Sequence, residues 1–253
     1  MDADERRRMM LQTTRREGAA DVAKLAADLG VSRETVRRDL RLLEEHGLVR
    51  RTHGGAYPVE SAGFETTLAY RTTRLVPEKA RIAVAAAELL DDAETVFIDE
   101  GFNPQLIAEA LPPNRRLTIV TASLATAGAL ADRQNTEVLL LGGRVRGGTL
   151  ATVGHWVTAM LSGFVIDLAY VGANGITREY GLTTPDPAVG AVKSQVMRAA
   201  RRKIFAGVHT KFGAVSFSRF AEVAEFEAIV TDTGLPVAEA RRYSLLGPRV
   251  IRA

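Results

Sequence analysis

The chain has 253 residues, of which 46% are hydrophobic and 25% are charged, so it is long enough for one small and one medium domain. Its formal net charge is only +3, and this overall charge does not identify a nucleic-acid partner. The sequence has no cysteine and its four histidines lack metal-ligand spacing, so we expect neither disulfides, nor a metal, nor a cofactor. A polar N terminus and the lack of long apolar runs predict a soluble cytoplasmic protein without membrane contact.

The N-terminal part carries three helical patterns and a short hairpin. Residues 4–17 form a charged pattern whose inward side consists of Met10, Leu11 and Thr14. Asp21 is placed to cap a second helix, which has one apolar face and ends at Gly30. Ser32 is placed to cap a third helix, which ends near residue 47 and has an apolar stripe of Val36, Leu40 and Leu43. Residues 48–51 then predict a strand, and residues 53–55 predict a tight turn.

The third helix has a basic side away from its apolar stripe. Arg37 and Arg38 lie off the apolar face, with Arg33 and Arg41 beside them. Guanidinium groups in this arrangement can read guanine edges in the major groove or hold phosphates. The same pattern is also typical of an ordinary solvated helix face, so these residues alone leave both interpretations open.

Residues 25–56, LAADLGVSRETVRRDLRLLEEHGLVRRTHGGA, closely resemble the winged helix-turn-helix of the DeoR/GlpR family of transcriptional regulators. The most specific part is SRETVRRDL at residues 32–40, followed by THGGA at residues 52–56. The resemblance implies a repressor whose third helix enters the major groove of double-stranded DNA, and whose dimeric units bind repeated or inverted sites. Carried over by position, the implied contacts are Ser32, Arg33, Thr35, Arg37 and Arg38 in the helix, and Arg51, His53 and Gly54 in the wing.

The rest of the chain alternates strand and helix patterns. Residues 60–76 lack periodicity and are the predicted linker between a DNA-binding domain at residues 1–59 and a second domain at residues 77–253. Predicted strands lie at residues 95–99, 117–121, 137–141, 168–172, 203–208 and 228–232. Predicted helices lie at residues 78–90, 105–111, 123–131, 155–161 and 189–202. This alternation predicts an α/β domain with a largely parallel sheet and helices on both faces, joined to the α+β winged helix.

The resemblance to the DeoR/GlpR family continues over residues 77–236. Its motifs are EKARIA (78–83), LGGRVR (141–146), VGANGI (171–176), GLTTP (181–185), AVK (191–193) and HTKFG (209–213). They are similar to the family's C-terminal sensor domain, whose fold is similar to that of ribose-5-phosphate isomerases. The resemblance implies that this domain binds a sugar phosphate or a similar anionic metabolite, and that the protein controls a carbohydrate-metabolism operon.

Ligands of parallel α/β sheets bind beyond the carboxyl ends of the strands. Small residues, hydroxyls and cations, which suit a phosphorylated ligand, follow five of the predicted strands. Together with Lys193 of the AVK motif, the candidate effector-binding residues are Asp99, Gly101, Phe102, Asn103, Thr121, Ser123, Gly142, Gly143, Gly172, Asn174 and Lys211. The glycines are also typical of tight strand–helix turns, and Lys211 of a surface lysine, so a purely structural role stays open.

Several positions depart from the family pattern. Phe102 and Asn103 stand where small hydroxylated residues are usual, and Ala122 replaces the asparagine of a Thr-Asn-Ser run. Val189 stands near a usually acidic position, and Val208 replaces an aspartate. The predicted site is therefore less polar and less acidic than is usual in the family, which leaves the identity of the effector open.

An enzyme with an appended DNA-binding domain is the main alternative for the second domain. A sugar-phosphate isomerase needs a carboxylate base, but Asn174 stands where the similar isomerases place acidic residues. Asp99, Glu100 and Asp186 are the nearby carboxylates that remain. We therefore expect a regulator without catalytic residues.

A pure oligomerisation module is a third interpretation of the second domain. One helix-turn-helix covers a half-site, so we expect a homodimer or homotetramer that assembles through this domain. Trp156, Met160 and Leu161 fit either core packing or subunit contact, and we expect core packing.

Overall fold

The computed structural model describes residues 2–45, 48–52, 54–58 and 67–253, with the backbone alone at Tyr70. The chain divides into two compact units, Met1–Tyr70 and Arg71–Ala253. Each unit has its own hydrophobic core. His53, for which the sequence predicts a wing contact, lies outside the described residues.

The N-terminal unit combines three helices with a small antiparallel sheet in the order β1-β3-β2. Its elements are α1 (Ala3–Glu17), β1 (Ala20–Asp21), α2 (Val22–Leu29), α3 (Arg33–Glu45), β2 (Val49–Thr52) and β3 (Gly55–Pro58). Asp21 caps α2 by accepting a hydrogen bond from the Lys24 amide at 2.9 Å. Ser32 caps α3 by accepting one from the Thr35 amide at 3.1 Å. Both predicted caps are confirmed, and they satisfy amide groups that a helix start leaves unpaired.

The apolar stripes of these helices meet in one core. It contains Met10, Val22, Leu25, Val36, Leu40, Leu43, Val49 and Ala56, all buried. A buried ion pair accompanies it, because Arg6 Nε of α1 lies 2.6 Å from Asp39 Oδ2 of α3. This contact fixes α3 against α1.

Helix α4 (Leu68–Arg71) includes the boundary between the two units and lies in the segment predicted as a linker. Beyond it, the second unit alternates strands and helices. The elements are α5 (Val76–Ala87), β4 (Thr95–Ile98), α6 (Phe102–Ala110), β5 (Leu117–Thr121), α7 (Leu124–Leu130), β6 (Thr136–Leu140), β7 (Arg144–Arg146), β8 (Ala151–Val153), α8 (His155–Ser162), β9 (Ile166–Val171), β10 (Gly175–Thr177), β11 (Gly181–Thr184), α9 (Pro187–Ala199), β12 (Ala200–Ala206), β13 (Ser218–Ala221), β14 (Ala228–Thr231), α10 (Val237–Ser244) and β15 (Arg249–Arg252). Short 3-10 turns lie at His209–Lys211 and Val223–Glu225.

A 7-stranded parallel sheet in the order β15-β14-β12-β9-β4-β5-β6 forms the centre of this unit. Alternate strand residues face opposite sides, so Val96 and Ile98 pack in one core and Phe97 in the other. Helices α5, α6 and α7 contribute to the first core, and α8, α9 and α10 to the second. The predicted α/β fold with helices on both faces is confirmed.

The structure corrects two local predictions. The helix predicted at residues 189–202 ends at Ala199, and Ala200 already begins β12, because residues 200–206 pair with β9. Trp156, expected in the core, is 71% exposed, and Met160 is 40% exposed, whereas Leu161 is buried as expected. The hairpin β7–β8, the small sheet β10-β11-β13, and the C-terminal α10 and β15 are features that the sequence patterns did not predict.

Candidate functional site

Helix α3 presents its predicted contact residues on one exposed side. The predicted contacts Arg33, Arg37 and Arg38 are exposed, away from the buried stripe of Val36, Leu40 and Leu43, and Arg41 is exposed beside them. The hydroxyls of Ser32 and Thr35 lie 2.9 Å apart at the start of the helix. Four guanidinium groups therefore share the surface that can enter a major groove.

These arginines differ in their partners. Arg37 Nη1 lies 3.4 Å from Glu34 Oε2, within the same helix. The described part of the chain offers no hydrogen-bond or ion-pair partner to Arg33 or Arg38. Arg33 and Arg38 are accordingly the groups most available to phosphates or guanine edges.

The wing is tied to the end of α3 by one carboxylate. Glu44 accepts a hydrogen bond from the Arg51 amide at 2.9 Å and one from Arg51 Nε at 2.6 Å. The amide contact, followed by the guanidinium contact, lowers the pKa of Glu44 below its usual value. Gly54 occupies the turn with φ of 99°, a conformation that favours glycine.

The carboxyl edge of the large sheet contains a topological switch point between β4 and β9. The chain proceeds from β4 to β5 and β6 on one side, and from β9 to β12, β14 and β15 on the other. Ligands of open α/β sheets bind in the crevice at such a point. Asp99 and the residues up to Asn103 follow β4, and Gly172 to Asn174 follow β9, so both sets of predicted residues adjoin this crevice.

Asp99 and Lys193 form a buried ion pair at the bottom of the switch point. Lys193 Nζ of α9 donates a hydrogen bond to Asp99 Oδ2, and a second one to the Gly172 carbonyl at 3.1 Å. Asp99 also accepts hydrogen bonds from the Gly172 amide and the Glu100 amide, each at 2.8 Å. These contacts use much of the hydrogen-bonding capacity of Asp99 and Lys193 to join the ends of β4 and β9.

A second cationic group lies beside the loop after β4. Lys79 Nζ of α5 donates a hydrogen bond to the Arg71 carbonyl at 2.6 Å and lies 5.5 Å from the centre of the Phe102 ring. Arg71 Nη1 lies 3.6 Å from Glu100 Oε2. Asn103 is 9% exposed, and its amide nitrogen and oxygen are buried without a partner among the described residues. The loop after β4 therefore offers a buried amide group without a hydrogen-bond partner, and the cations Lys79 and Arg71 lie beside the same loop.

Lys79 is buried on the core face of α5, in line with Ile82 and Ala83. Burial, followed by the nearby charges of Lys211 and Arg71, lowers its pKa from 10.5 to about 8. Sequence reasoning did not select Lys79 or Arg71 as site residues. Lys79 could have been recognised, because a lysine on the apolar stripe of an amphipathic helix is unusual. Arg71 gave no such indication, since it lies in the segment interpreted as a linker.

The other candidate residues are spread widely along the sheet edge. The outermost positions are Lys211, which follows β12, and Gly142, which follows β6; these strands are four inter-strand spacings apart, or ~19 Å at ~4.8 Å per spacing. Thr121 donates its hydroxyl hydrogen to the Ile98 carbonyl at 2.7 Å, and Ser123 caps α7 by accepting from the Thr126 amide at 3.1 Å. Lys211 is close enough to Lys79 to influence its pKa. The sheet thus brings Lys211 near the loop after β4, whereas Thr121 and Ser123 have structural contacts.

Two more predicted positions have clear packing roles. A Cβ atom on Gly143 would lie 2.7 Å from the Val153 carbonyl oxygen and 2.8 Å from Val157 Cγ2, so only glycine fits. Asn174 is buried and accepts a hydrogen bond from the Thr184 hydroxyl at 3.1 Å.

Gly101 has φ of 111° and starts α6, which directs the first amides of that helix toward the crevice.

A histidine–aspartate pair at the same sheet edge was not predicted. His209 Nδ1 lies 2.6 Å from Asp232 Oδ2, and the His209 amide donates to Asp232 Oδ1 at 2.7 Å. Burial raises the pKa of Asp232, but the combined hydrogen bonds from His209 and the Gly234 amide outweigh it and lower the pKa. Asp232 therefore fixes the orientation of the imidazole.

Among the described residues, no group of three or more His, Asp and Glu side chains is arranged to hold a metal ion. Within that same part of the chain, no helix combines the length and the apolar character needed to cross a bilayer.

The sequence matches the DeoR-like helix-turn-helix domain over residues 6–62 and the DeoR C terminal sensor domain over residues 75–233. The chain belongs to the DeoR family. It is therefore a DNA-binding transcriptional regulator, and the resemblance found in its motifs is confirmed.

DeoR-family relatives match almost the whole chain. The HTH-type transcriptional regulator GlpR of Haloferax volcanii is 33% identical over 98% of this chain and 96% of its own length. The glycerol-3-phosphate regulon repressor of Escherichia coli is 29% identical over 94% of each chain. Among solved structures, ribose 5-phosphate isomerase A from Neisseria gonorrhoeae is similar to part of the chain, with 17% identity, a TM-score of 0.38, and coverage of 54% of this chain and 53% of that one.

Proposed function

We propose that this protein represses a carbohydrate-metabolism operon and that an anionic metabolite, a sugar phosphate or a phosphorylated polyol, binds the second unit and releases the DNA. The printed names of its relatives support this proposal, since one of them is a glycerol-3-phosphate regulon repressor. The chemistry of the switch point supports it independently.

The observation that carries the ligand proposal is the cationic group beside the loop after β4, the loop that leads to Asn103. Lys193 is paired with Asp99 and Arg71 lies beside Glu100, while Lys79 and Lys211 bring two further cations close enough for the charge of Lys211 to lower the pKa of Lys79. Lys79 beside the Phe102 ring, Lys211 near Lys79, and the buried unpartnered amide of Asn103 at the start of α6 together suit a phosphate dianion, which needs cations and N–H donors. In this proposal the anionic end contacts Lys79, Lys211 and Asn103.

Asp99, Gly172 and Lys193 hold the crevice in shape in this proposal. Their mutual hydrogen bonds join the ends of β4 and β9, which border the ligand on two sides. Phe102 forms one wall, because its ring lies against Lys79. An aromatic wall and the scarcity of acidic contacts favour a ligand with a short or partly apolar body over a polyhydroxylated sugar.

The DNA contacts that we propose lie on α3 and the wing. Arg33, Arg37 and Arg38 reach base edges or phosphates in the major groove, with Ser32 and Thr35 at the start of the helix. Arg51 and Gly54 border the adjacent backbone. Two copies bind together, as a homodimer or homotetramer, because one recognition helix covers only a half-site.

We propose that the second unit does not catalyse a reaction. Both carboxylates nearest the crevice have cationic partners, Asp99 with Lys193 and Glu100 with Arg71, which suits structural roles better than proton abstraction. Incubation of the purified protein with pentose and hexose phosphates is expected to show no turnover, and measurable isomerisation would favour the enzyme interpretation.

Thermal unfolding with a panel of anions tests the ligand proposal. Inorganic phosphate, glycerol 3-phosphate and a series of sugar phosphates are each added to the full chain. A ligand at ~100 times its dissociation constant stabilises the fold by ~2.7 kcal/mol, which raises the melting temperature by ~5–10 °C. The same compound is expected to weaken binding to DNA selected from a random pool.

Matched variants separate the site from general charge effects. Lys79→Met is expected to abolish the response. Arg201→Met, which removes a largely exposed cation from the start of β12 at the opposite edge of the sheet, is expected to retain it. An equal loss in both variants, or the lack of any stabilising anion, would contradict the proposed site.

A further inference from the structure

Helix α8 is apolar on two faces. Val157 and Leu161 are spaced four residues apart and are fully buried against the sheet. Trp156 and Met160 have the same spacing on the outer face and are 71% and 40% exposed. A helix that covers only its own sheet needs a single apolar stripe, so the outer stripe requires another explanation.

Further apolar side chains are exposed on the elements that adjoin α8. Gly143 of the loop after β6 packs closely on Val153 of β8 and on Val157 of α8. This loop, the β7–β8 hairpin and α8 therefore adjoin one another. Leu139 and Leu140 of the edge strand β6 are 37% and 43% exposed, but as consecutive strand residues they face opposite sides of the sheet, so we do not group them with α8. Val145 and Leu150 of the hairpin region are also exposed, but Val145 stands between Arg144 and Arg146, whereas Leu150 has no charged neighbour in the sequence. We call the outer face of α8 together with Leu150 the α8 patch, and it consists of Trp156, Met160 and Leu150.

The α8 patch lies in a segment without charge. Residues 147–166 contain no Asp, Glu, Lys or Arg, although 25% of the chain is charged and a stretch of this length would on average carry about five such residues. Soluble surfaces that remain exposed are rich in charge, whereas the centres of protein interfaces are depleted of it and enriched in tryptophan and methionine. Composition and exposure therefore both mark this surface as one that is covered.

We propose that the α8 patch is the interface through which two copies of this chain pair. In a twofold interface each residue faces the same surface of its partner, so a charged patch would place like charges together, whereas a neutral patch matches itself. The neutrality of residues 147–166 thus favours a second copy over a charged partner. This inference rests on the homodimer or homotetramer included in the proposed function and names the surface that forms it. Its test measures association of the protein alone, without DNA or effector.

Trp156 is the only tryptophan of the chain, so its fluorescence reports directly on this surface. We expect the emission of the full-length protein to shift to shorter wavelength as its concentration rises from ~0.1 to ~100 µM, in parallel with dimer formation in sedimentation velocity. A monomeric protein over this range, or a dimer in which Trp156 emission stays that of an exposed indole, would overturn the proposal.

Three variants complete the test. Trp156→Ala and Met160→Glu are each expected to raise the dimer dissociation constant at least ~30-fold, as loss of an interface hot spot does. Phe217→Glu is the matched control, because Phe217 is equally exposed at 71% in the same unit but lies outside the α8 patch. Unchanged association in both patch variants, or dissociation of the control alone, would refute the assignment. Circular dichroism checks that each variant is folded.

Discussion

Replacing Lys79 with methionine is expected to make the protein more stable while removing its response to the effector. The folded state lowers the pKa of Lys79 from 10.5 to about 8, mainly by burial and then by repulsion from Lys211 and Arg71. At ~1.36 kcal/mol per pKa unit, keeping this ammonium charged near pH 7 costs the fold ~3 kcal/mol. Loss of the 2.6 Å hydrogen bond to the Arg71 carbonyl offsets ~1 kcal/mol of the gain.

The net expectation for Lys79→Met is therefore an increase of ~2 kcal/mol in the free energy of unfolding, or ~4–8 °C in melting temperature. The sign of the pH dependence follows from proton counts. Between pH 8 and pH 10.5 the unfolded chain holds a proton on Lys79 that the folded chain has lost, so the stability of the wild type rises with pH in this window. The difference between wild type and variant should accordingly narrow as the pH rises from about 8 to about 10.5.

Ligand affinity should follow the opposite trend. A bound anion favours the charged lysine, and the second ionisation of a phosphate monoester is complete above about pH 7. The protonated fraction of Lys79 falls from ~0.9 at about pH 7 to ~0.1 at about pH 9, so affinity should fall about tenfold.

Calorimetric titration with glycerol 3-phosphate, a phosphate monoester, measures this slope directly. Lys79→Arg, which stays charged at every accessible pH, should flatten the profile. A wild-type affinity that is independent of pH, or a Lys79→Met variant that still binds normally, would refute the reasoning.

Other predictions concern the DNA-binding unit and the buried pair. Arg38→Ala should weaken operator binding by ~1–3 kcal/mol in a fluorescence anisotropy titration at fixed salt, with unchanged unfolding, and equal affinity would remove α3 from the interface. Asp39→Ala leaves Arg6 buried without its partner, so the DNA-binding unit should lose ~3–5 kcal/mol of stability in chemical denaturation. Lys193→Met should destabilise the second unit strongly, whereas the double variant with Asp99→Asn should recover part of the loss; additive losses would contradict their coupling.

The helix-turn-helix was predictable from local sequence because its determinants are local. Asp21 and Ser32 act as caps within three residues of the amides they accept from, and the stripe of Val36, Leu40 and Leu43 is a matter of helical period alone. Pairing within the large sheet joins residues far apart in the chain. Its parallel character was nevertheless predictable, because strands that alternate with helices almost always form a parallel sheet covered by those helices.

The composition of the effector site depends on strand order, which the sequence does not specify. All the loops after parallel strands share one edge, so the sequence does not distinguish Thr121, Gly142 and Gly172 as ligand contacts. Only the order β12-β9-β4-β5-β6 places the switch point beside Gly172 and leaves Gly142 two strands from β4. Lys79 belongs to that edge because α5 packs its core face there, and Trp156 lies outside the core because Val157 and Leu161 already fill it. A sequence fixes periodicity through local geometry, but which loops meet, and which apolar side chains remain outside, is decided by long-range packing.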